Sequence, residues 1–167
     1  MFDSVHTNGL IEVYGEMPWE SLPKSPVIND PRLDGITILI VDDDADSRAV
    51  LEWFLTSHGA NVLPARSASQ ALRIIDTQSP DLLLSDISMP DADGYELLAQ
   101  IRALEKAKNL SEKKSLPLPA AAISAFATAA DRQKSLRAGF QFHITKPMDF
   151  IELMASVAAL AGRVQLS

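Results

Sequence analysis

Apolar and polar positions follow two regimes along the chain, and the change falls near residue 35. From Ile36 onward, short apolar runs alternate with stretches of helical period. Ile36–Val41 and the triplet Leu82-Leu83-Leu84 show no polar alternation, which predicts strands covered on both faces of a parallel sheet. Asn61–Ala65, Ala120–Ile123 ending at Ser124, and Phe140–Thr145 complete a set of five strand candidates. Between them lie five helical patterns. Val50, Leu51, Phe54 and Leu55 share a face behind Asp44, an N-cap residue, and Gly59 ends that helix. Ser67-x-x-Gln70 reads as a capping box before Ala71, Leu72, Ile74 and Ile75, with Ser79-Pro80 as the stop. Tyr95, Leu97, Leu98, Ile101 and Leu104 mark a third helix after a turn at Asp91-Ala92-Asp93-Gly94. Ala129–Ala138, closed by Gly139, is the fourth. Asp149-x-x-Glu152 caps the last, with Ile151, Leu153, Met154, Val157 and Leu160 expected inward. Lys106 to Lys114, followed by Leu116-Pro117-Leu118-Pro119, reads as a solvated loop. This alternation predicts an α/β domain with right-handed crossovers and a parallel sheet under helices on both faces.

Residues 1–35 behave differently. Pro18, Pro23, Pro26 and Pro31 forbid a long helix, and acids outnumber bases there. The segment reads as an acidic extension or linker, although Leu10-Ile11-Glu12-Val13-Tyr14 and Met17-Pro18-Trp19 could dock on the domain or on a second copy of it. The expected organisation is therefore 1–35 extension, 36–162 domain, 163–167 tail. At 167 residues the chain suits one domain and an appendage. A net charge of -7 argues against a phosphate-backbone binder, so nucleic acid is not an expected partner. The absence of cysteine excludes disulfides and thiolate metal sites and suits a reducing cytosol. No positive n-region precedes an apolar stretch, and no apolar run approaches the roughly 20 residues that span a bilayer. A soluble, cytoplasmic protein without a membrane partner is the expectation.

Candidate chemistry sits where the strands end. The first strand runs into Asp42 and Asp43, the third into Asp86, the fourth into Ser124 and the fifth into Lys146. Each alone is commonplace, as a cap, a turn or a solvated end. Together they bring three carboxylates, a hydroxyl and an ammonium to the rim where open α/β sheets bind ligands. Close carboxylates repel, so such a site raises a pKa or takes a cation, and an all-oxygen set favours Mg²⁺ or Mn²⁺. One carboxylate could then attack phosphorus and form an aspartyl phosphate, with Lys146 and Ser124 on the remaining phosphoryl oxygens. Placement on the central strand favours Asp86.

These residues closely resemble a known family. Leu39-Ile40-Val41-Asp42-Asp43-Asp44, Ser85-Asp86-Ile87-Ser88-Met89-Pro90 with Asp93-Gly94, Ser124-Ala125 and Lys146-Pro147 are similar in order and spacing to the receiver domain of two-component response regulators, over Gly35 to about Gly162. The resemblance implies a flavodoxin-like five-stranded sheet of order 2-1-3-4-5. It implies Asp86 as phosphoacceptor, Mg²⁺ held by Asp42, Asp43, Asp86 and the backbone carbonyl of Ser88, and Ser124 with Lys146 at the phosphoryl group. It also implies a histidine kinase or histidine phosphotransfer protein as partner, and output through the face of helix four, strand five and helix five, including a homodimer there.

Two positions depart from the pattern. The aromatic switch position, three before the lysine, is His143, whose charge change near neutral pH would make a switch pH-sensitive; a surface imidazole at a strand end is the simpler reading. The stretch from Lys106 to Pro119 is long. Gly139 to Pro147 particularly resembles receivers attached to hybrid histidine kinases. A haloacid-dehalogenase-type phosphatase would need an acid two residues after its nucleophile, where this chain has Ser88. A non-phosphorylated receiver-like scaffold or dimerisation module is the alternative. With only residues 163–167 after Gly162, signalling through protein contacts, not an enzymatic output, is expected.

Overall fold

In the computed structural model the described residues are 32–89, 93–109 and 117–162. Residues 1–31 of the expected extension, Pro90, most of the Asp91–Asp93 turn, the end of the lysine-rich stretch and the tail lie outside them, whereas Leu33, near the end of that extension, is buried in the core and donates its N–H to the His58 carbonyl. Strands and helices alternate as β1 (Thr37–Val41), α1 (Ala45–Ser57), β2 (Asn61–Ala65), α2 (Ala68–Gln78), β3 (Leu82–Asp86), α3 (Gly94–Asn109), β4 (Ala120–Ser124), α4 (Ala129–Ala138), β5 (Phe142–Thr145) and α5 (Phe150–Leu160). The sheet has the order β2-β1-β3-β4-β5, and each neighbouring pair is parallel. The alternating parallel architecture is the one the apolar pattern predicts, and the strand order is the one the family resemblance implies.

Strand pleating explains why the apolar runs are unbroken. Ile38, Ile40, Leu82, Leu84, Ala121, Ile123 and Ile144 face one way and pack with Leu51, Leu55, Leu153, Met154 and Val157 of α1 and α5. Leu39, Val41, Leu83, Ala120 and Ala122 face the other way and pack with Ala68, Ala71, Leu97, Leu98, Ile101 and Phe140. Successive residues thus serve opposite cores, so the runs stay apolar until the carboxyl rim, where Ser85, Asp86 and Ser124 are buried. Leu82, Leu83 and Leu84 are fully buried, and each such side chain contributes about 1.5–3 kcal/mol. Pro64 is tolerated because β2 is an edge strand.

Helix starts follow the local chemistry. Asp44 accepts the Ser47 N–H, and Ser67 accepts the Gln70 N–H. The expected capping box at Ser67 is only half formed, since the Gln70 side chain accepts from Arg66 N–H, one residue earlier. A complete box stands at Thr128 and Asp131, where each side chain accepts from the other's backbone N–H, at the spacing a capping box requires.

The structure corrects several expectations. Helix α3 continues to Asn109, so Lys106 and Lys108 belong to a helix and not to a loop. Lysine is a good helix former and suits a helix C-terminus electrostatically, so the apolar stripe stops at Leu104 while the helix continues. Strand β5 begins at Phe142, and Phe140 is buried ahead of it. Val50 and Ile151, expected inward, are 44% and 79% exposed. Ile151 lies two residues before Leu153, about 200° around the helix.

Candidate functional site at the carboxyl rim

The topology sets the site. β1 and β3 are adjacent and lie where the winding reverses, so Asp42, just after β1, and Asp86, last in β3, are delivered side by side. Both are buried, at 1% and 6% exposure. Each carboxylate is held the same way. Asp42 Oδ1 accepts the Asp44 N–H at 2.9 Å, and Asp86 Oδ1 accepts the Ser88 N–H at 2.9 Å. That leaves both Oδ2 atoms facing Lys146, whose Nζ donates to each at 3.1 Å. Asp43 is exposed, and one of its carboxylate oxygens lies within 4.8 Å of oxygens from Asp42 and Asp86. The geometric requirement that the acids and the ammonium meet is satisfied.

Electrostatics follow from this packing. Burial pushes the Asp42 carboxyl above the usual carboxylate range, and the Asp86 charge adds to that, against the pull of the Asp44 N–H and of Lys146. For Lys146, burial works to discharge the ammonium, but its hydrogen bonds to Asp42 and Asp86 outweigh it and raise the pKa. Three carboxylates therefore face one ammonium. An all-oxygen set with excess negative charge, already holding a cation at hydrogen-bond distance, fits a hard divalent ion such as Mg²⁺.

Ser124 ends β4 beside this group. Its hydroxyl is buried and accepts the Phe126 N–H at 3.0 Å, and its carbonyl accepts the Lys146 N–H at 2.7 Å. His143 is not the surface imidazole of the simpler reading: it is 8% exposed, and both ring nitrogens are engaged. Nδ1 lies 2.8 Å from Ser135 Oγ, and Nε2 lies 2.9 Å from the Phe126 carbonyl oxygen. In β5 His143 and Ile144 are both buried, on opposite faces of the strand, while Phe142 and Thr145 are half-buried.

Arg48 was not among the expected site residues, and Gly94 was expected only as part of a turn and a motif. Arg48 of α1 donates to the Asp42 carbonyl at 2.7 Å and steadies the backbone leaving β1. At Gly94 a Cβ would stand 2.6 Å from the Asp86 carbonyl oxygen and 3.0 Å from Ile87 Cα. Only hydrogen fits, so α3 starts directly against the end of β3.

Residues 38–158 match the family model of the response regulator receiver domain, and the chain belongs to that family. Among known proteins it is 42% identical over 120 residues to an uncharacterized 14.6 kDa protein of Leptolyngbya boryana, spanning 72% of this chain and 86% of that one. It is 34% identical over 143 residues to hybrid signal transduction histidine kinase D of Dictyostelium discoideum, spanning 82% of this chain and 9% of the kinase. The sensor histidine kinase RcsC of Escherichia coli is 31% identical over 159 residues, 95% of this chain and 16% of that protein. The chain thus corresponds to a small part of each kinase. A solved likeness is the receiver domain of the Saccharomyces cerevisiae response regulator Ssk1, crystallised with the histidine phosphotransfer protein Ypd1. It has 26% identity and a TM-score of 0.71, and covers 79% of this chain and 90% of that one. The protein is a receiver domain of two-component signalling, homologous to phosphoacceptor domains of histidine kinases and response regulators. No described helix is long and apolar enough to cross a membrane.

Proposed function

We propose that Asp86 accepts a phosphoryl group from a phosphohistidine donor and that the acyl phosphate alters the protein's contacts with partners. The observation that carries this is the matched fastening of Asp42 and Asp86, with one oxygen of each on its own loop and the other facing a single ammonium. In the transfer a carboxylate oxygen of Asp86 attacks phosphorus, the P–N bond breaks, and the departing imidazole nitrogen takes up a proton. Lys146, already shared between two carboxylates, follows the developing charge onto a phosphoryl oxygen. Ser124 Oγ accepts from Phe126 N–H, so its own proton is left to donate to a second phosphoryl oxygen. Asp42, Asp43, Asp86 and the Ser88 carbonyl would hold Mg²⁺, which supplies positive charge to offset that of the acids and the phosphoryl group. Hydrolysis reverses the state: water attacks phosphorus, the P–O bond to Asp86 breaks, and carboxylate and inorganic phosphate are released. The protein is thus a phosphoacceptor serving its own transfer and dephosphorylation.

The donor partner is a histidine kinase or a histidine phosphotransfer protein, as Ypd1 is for the Ssk1 receiver it was crystallised with. Helix α1 leaves the rim at Ala45 and exposes Trp53 at 69% and Val50 at 44%, apolar surface suited to a docking protein. Output is assigned to the face of α4, β5 and α5, where a second copy could also bind; Leu136 on α4 is 52% exposed. The deciding experiment is incubation with a small-molecule phosphodonor and Mg²⁺, read by intact mass. Wild type should gain one phosphoryl group and Asp86→Asn none. A gain in the variant removes Asp86 from its role, and no gain in wild type favours an unphosphorylated scaffold.

A further inference from the structure

Ser85 is the residue of β3 directly before Asp86, and it is fully buried. Its neighbours in register, Val41 on β1 and Ala122 on β4, are buried as well. By strand alternation it faces the same way as Leu83, toward the core that holds Leu39, Val41, Leu97 and Leu98. A hydroxyl in such a layer is costly unless it is bonded. The partner it takes is the carbonyl of Asp86, to which Ser85 Oγ donates at 3.0 Å.

That carbonyl is where the sheet stops serving β3. On the β1 side the paired register ends at Val41 opposite Ser85, one residue short of Asp86. The N–H of the same peptide unit, on Ile87, goes to the Ile123 carbonyl at 3.0 Å. The Asp86–Ile87 peptide is thus held at its N–H by the end of β4 and at its carbonyl by Ser85. Gly94 closes over the second contact. A Cβ there would stand 2.6 Å from the Asp86 carbonyl oxygen and 3.2 Å from Ser85 Oγ, so α3 begins directly against this hydrogen bond.

The tilt of this peptide sets the direction in which the Asp86 side chain leaves the backbone, and the contacts with Ser88 N–H and Lys146 then fix only its rotation. We propose that Ser85 is a positioning residue for phosphoryl transfer: its hydroxyl fixes the Asp86 peptide and so the line along which the carboxylate oxygen approaches phosphorus. The proposal rests on the reading of Asp86 as phosphoacceptor and adds to that reaction a residue from beneath the acid rim. In-line attack is sensitive to placement, since a shift of about 1 Å can cost about a hundredfold in rate. Cation binding is less so, because the Ser88 carbonyl lies beyond Ile87, whose N–H and carbonyl stay bonded to Ile123 and Gly94. Removing the hydroxyl therefore slows transfer more than it weakens Mg²⁺ binding.

The test compares wild type with Ser85→Ala, which removes the donor, and Ser85→Cys, which fills the space but donates weakly. Three-bond NMR couplings in isotope-labelled, metal-free protein should show one side-chain rotamer for Asp86 in wild type and averaged rotamers in Ser85→Ala. With acetyl phosphate as donor and saturating Mg²⁺, labelling read by intact mass should slow about tenfold in Ser85→Ala, the effect of one lost hydrogen bond. In Ser85→Cys it should slow about threefold, in keeping with the weaker thiol donor. The Mg²⁺ dissociation constant, measured by calorimetry, should rise by less than about threefold in both, since oxygen ligands of a hard cation tolerate small shifts better than in-line attack does. A wild-type labelling rate in either variant overturns the proposal. So does a single Asp86 rotamer in Ser85→Ala, or a loss of Mg²⁺ affinity as large as the loss of rate. Ser85→Cys carries the test if Ser85→Ala does not fold. Absent labelling of wild type would instead refute the phosphoacceptor reading, while the Asp86 rotamers still decide whether Ser85 positions that side chain.

Discussion

The two ends of the same sheet use polar side chains in opposite ways. At the end where the strands begin, oxygens are assigned to backbone donors. Asp81 accepts the Thr37 N–H, Gln141 the Ala120 N–H, and Glu105 the Leu118 N–H, while Arg102 pairs with Glu105 and donates to the Leu118 carbonyl. A hollow of about 920 Å³ opens there, lined by residues including Asp81, Arg102, Glu105, Leu118 and Gln141, and the hydrogen-bonding groups on its wall are largely matched. At the opposite end, Asp42 and Asp86 each give one oxygen to structure and keep one directed at a shared cation. Three acids meet one base. The size of the hollow therefore misleads, and the imbalance of charge points to the chemistry. Groups that close their own accounts stabilise a fold, whereas an unbalanced set stores free energy that an incoming ion or phosphoryl group can release.

This contrast can be broken deliberately. The largest effect is expected for Lys146→Met, which leaves two buried carboxylates facing each other: a loss of about 3 kcal/mol in denaturant melts without divalent cation, partly recovered with Mg²⁺. Glu105→Ala should lower stability by about 1–3 kcal/mol through the unpaired Arg102 and Leu118 N–H, while phosphodonor labelling and the Mg²⁺-induced rise in melting temperature stay as in wild type. Asp86→Asn should act with the opposite sign, leaving stability unchanged or raised by up to about 1 kcal/mol as repulsion is relieved, with labelling abolished. Destabilisation comparable to Glu105→Ala would mean that the acid rim is as structurally balanced as the other end. The smallest effect concerns Asp44. Hydrogen bonds from the Ser47 side chain and backbone hold its carboxyl below the usual carboxylate range. The folded state thus prefers the anion, so its contribution is complete at neutral pH and fades as pH falls below about 4. The melting difference between wild type and Asp44→Ala should narrow over that range.

Much of this was legible in the residues, because the relevant physics is local or periodic. Leu82-Leu83-Leu84 could only be a strand covered twice, and acids at the ends of two such strands converge wherever a parallel sheet places those strands side by side. What escaped depends on partners distant in sequence. The burial of His143 is completed by Ser135 and by a carbonyl 17 positions earlier. Nothing local distinguishes Ser135 from a solvated helical serine. The exposure of Val50 and Ile151 shows the limit of apolar patterning: both are apolar and lie within a turn of buried residues, yet their side chains are not covered. The end of α3 escaped because its last turn is solvated and carries no periodic signal.

The hydrogen-only gap at Gly94 has a mechanical consequence. With backbone close against backbone, strand β3 and the start of helix α3 have no room to slide past one another, and together they form a fixed abutment. On the opposite flank of β3 the sheet continues into β4, and helix α4, which follows it, buries only Ser135, so the two sides of the proposed acceptor differ in how rigidly they are packed.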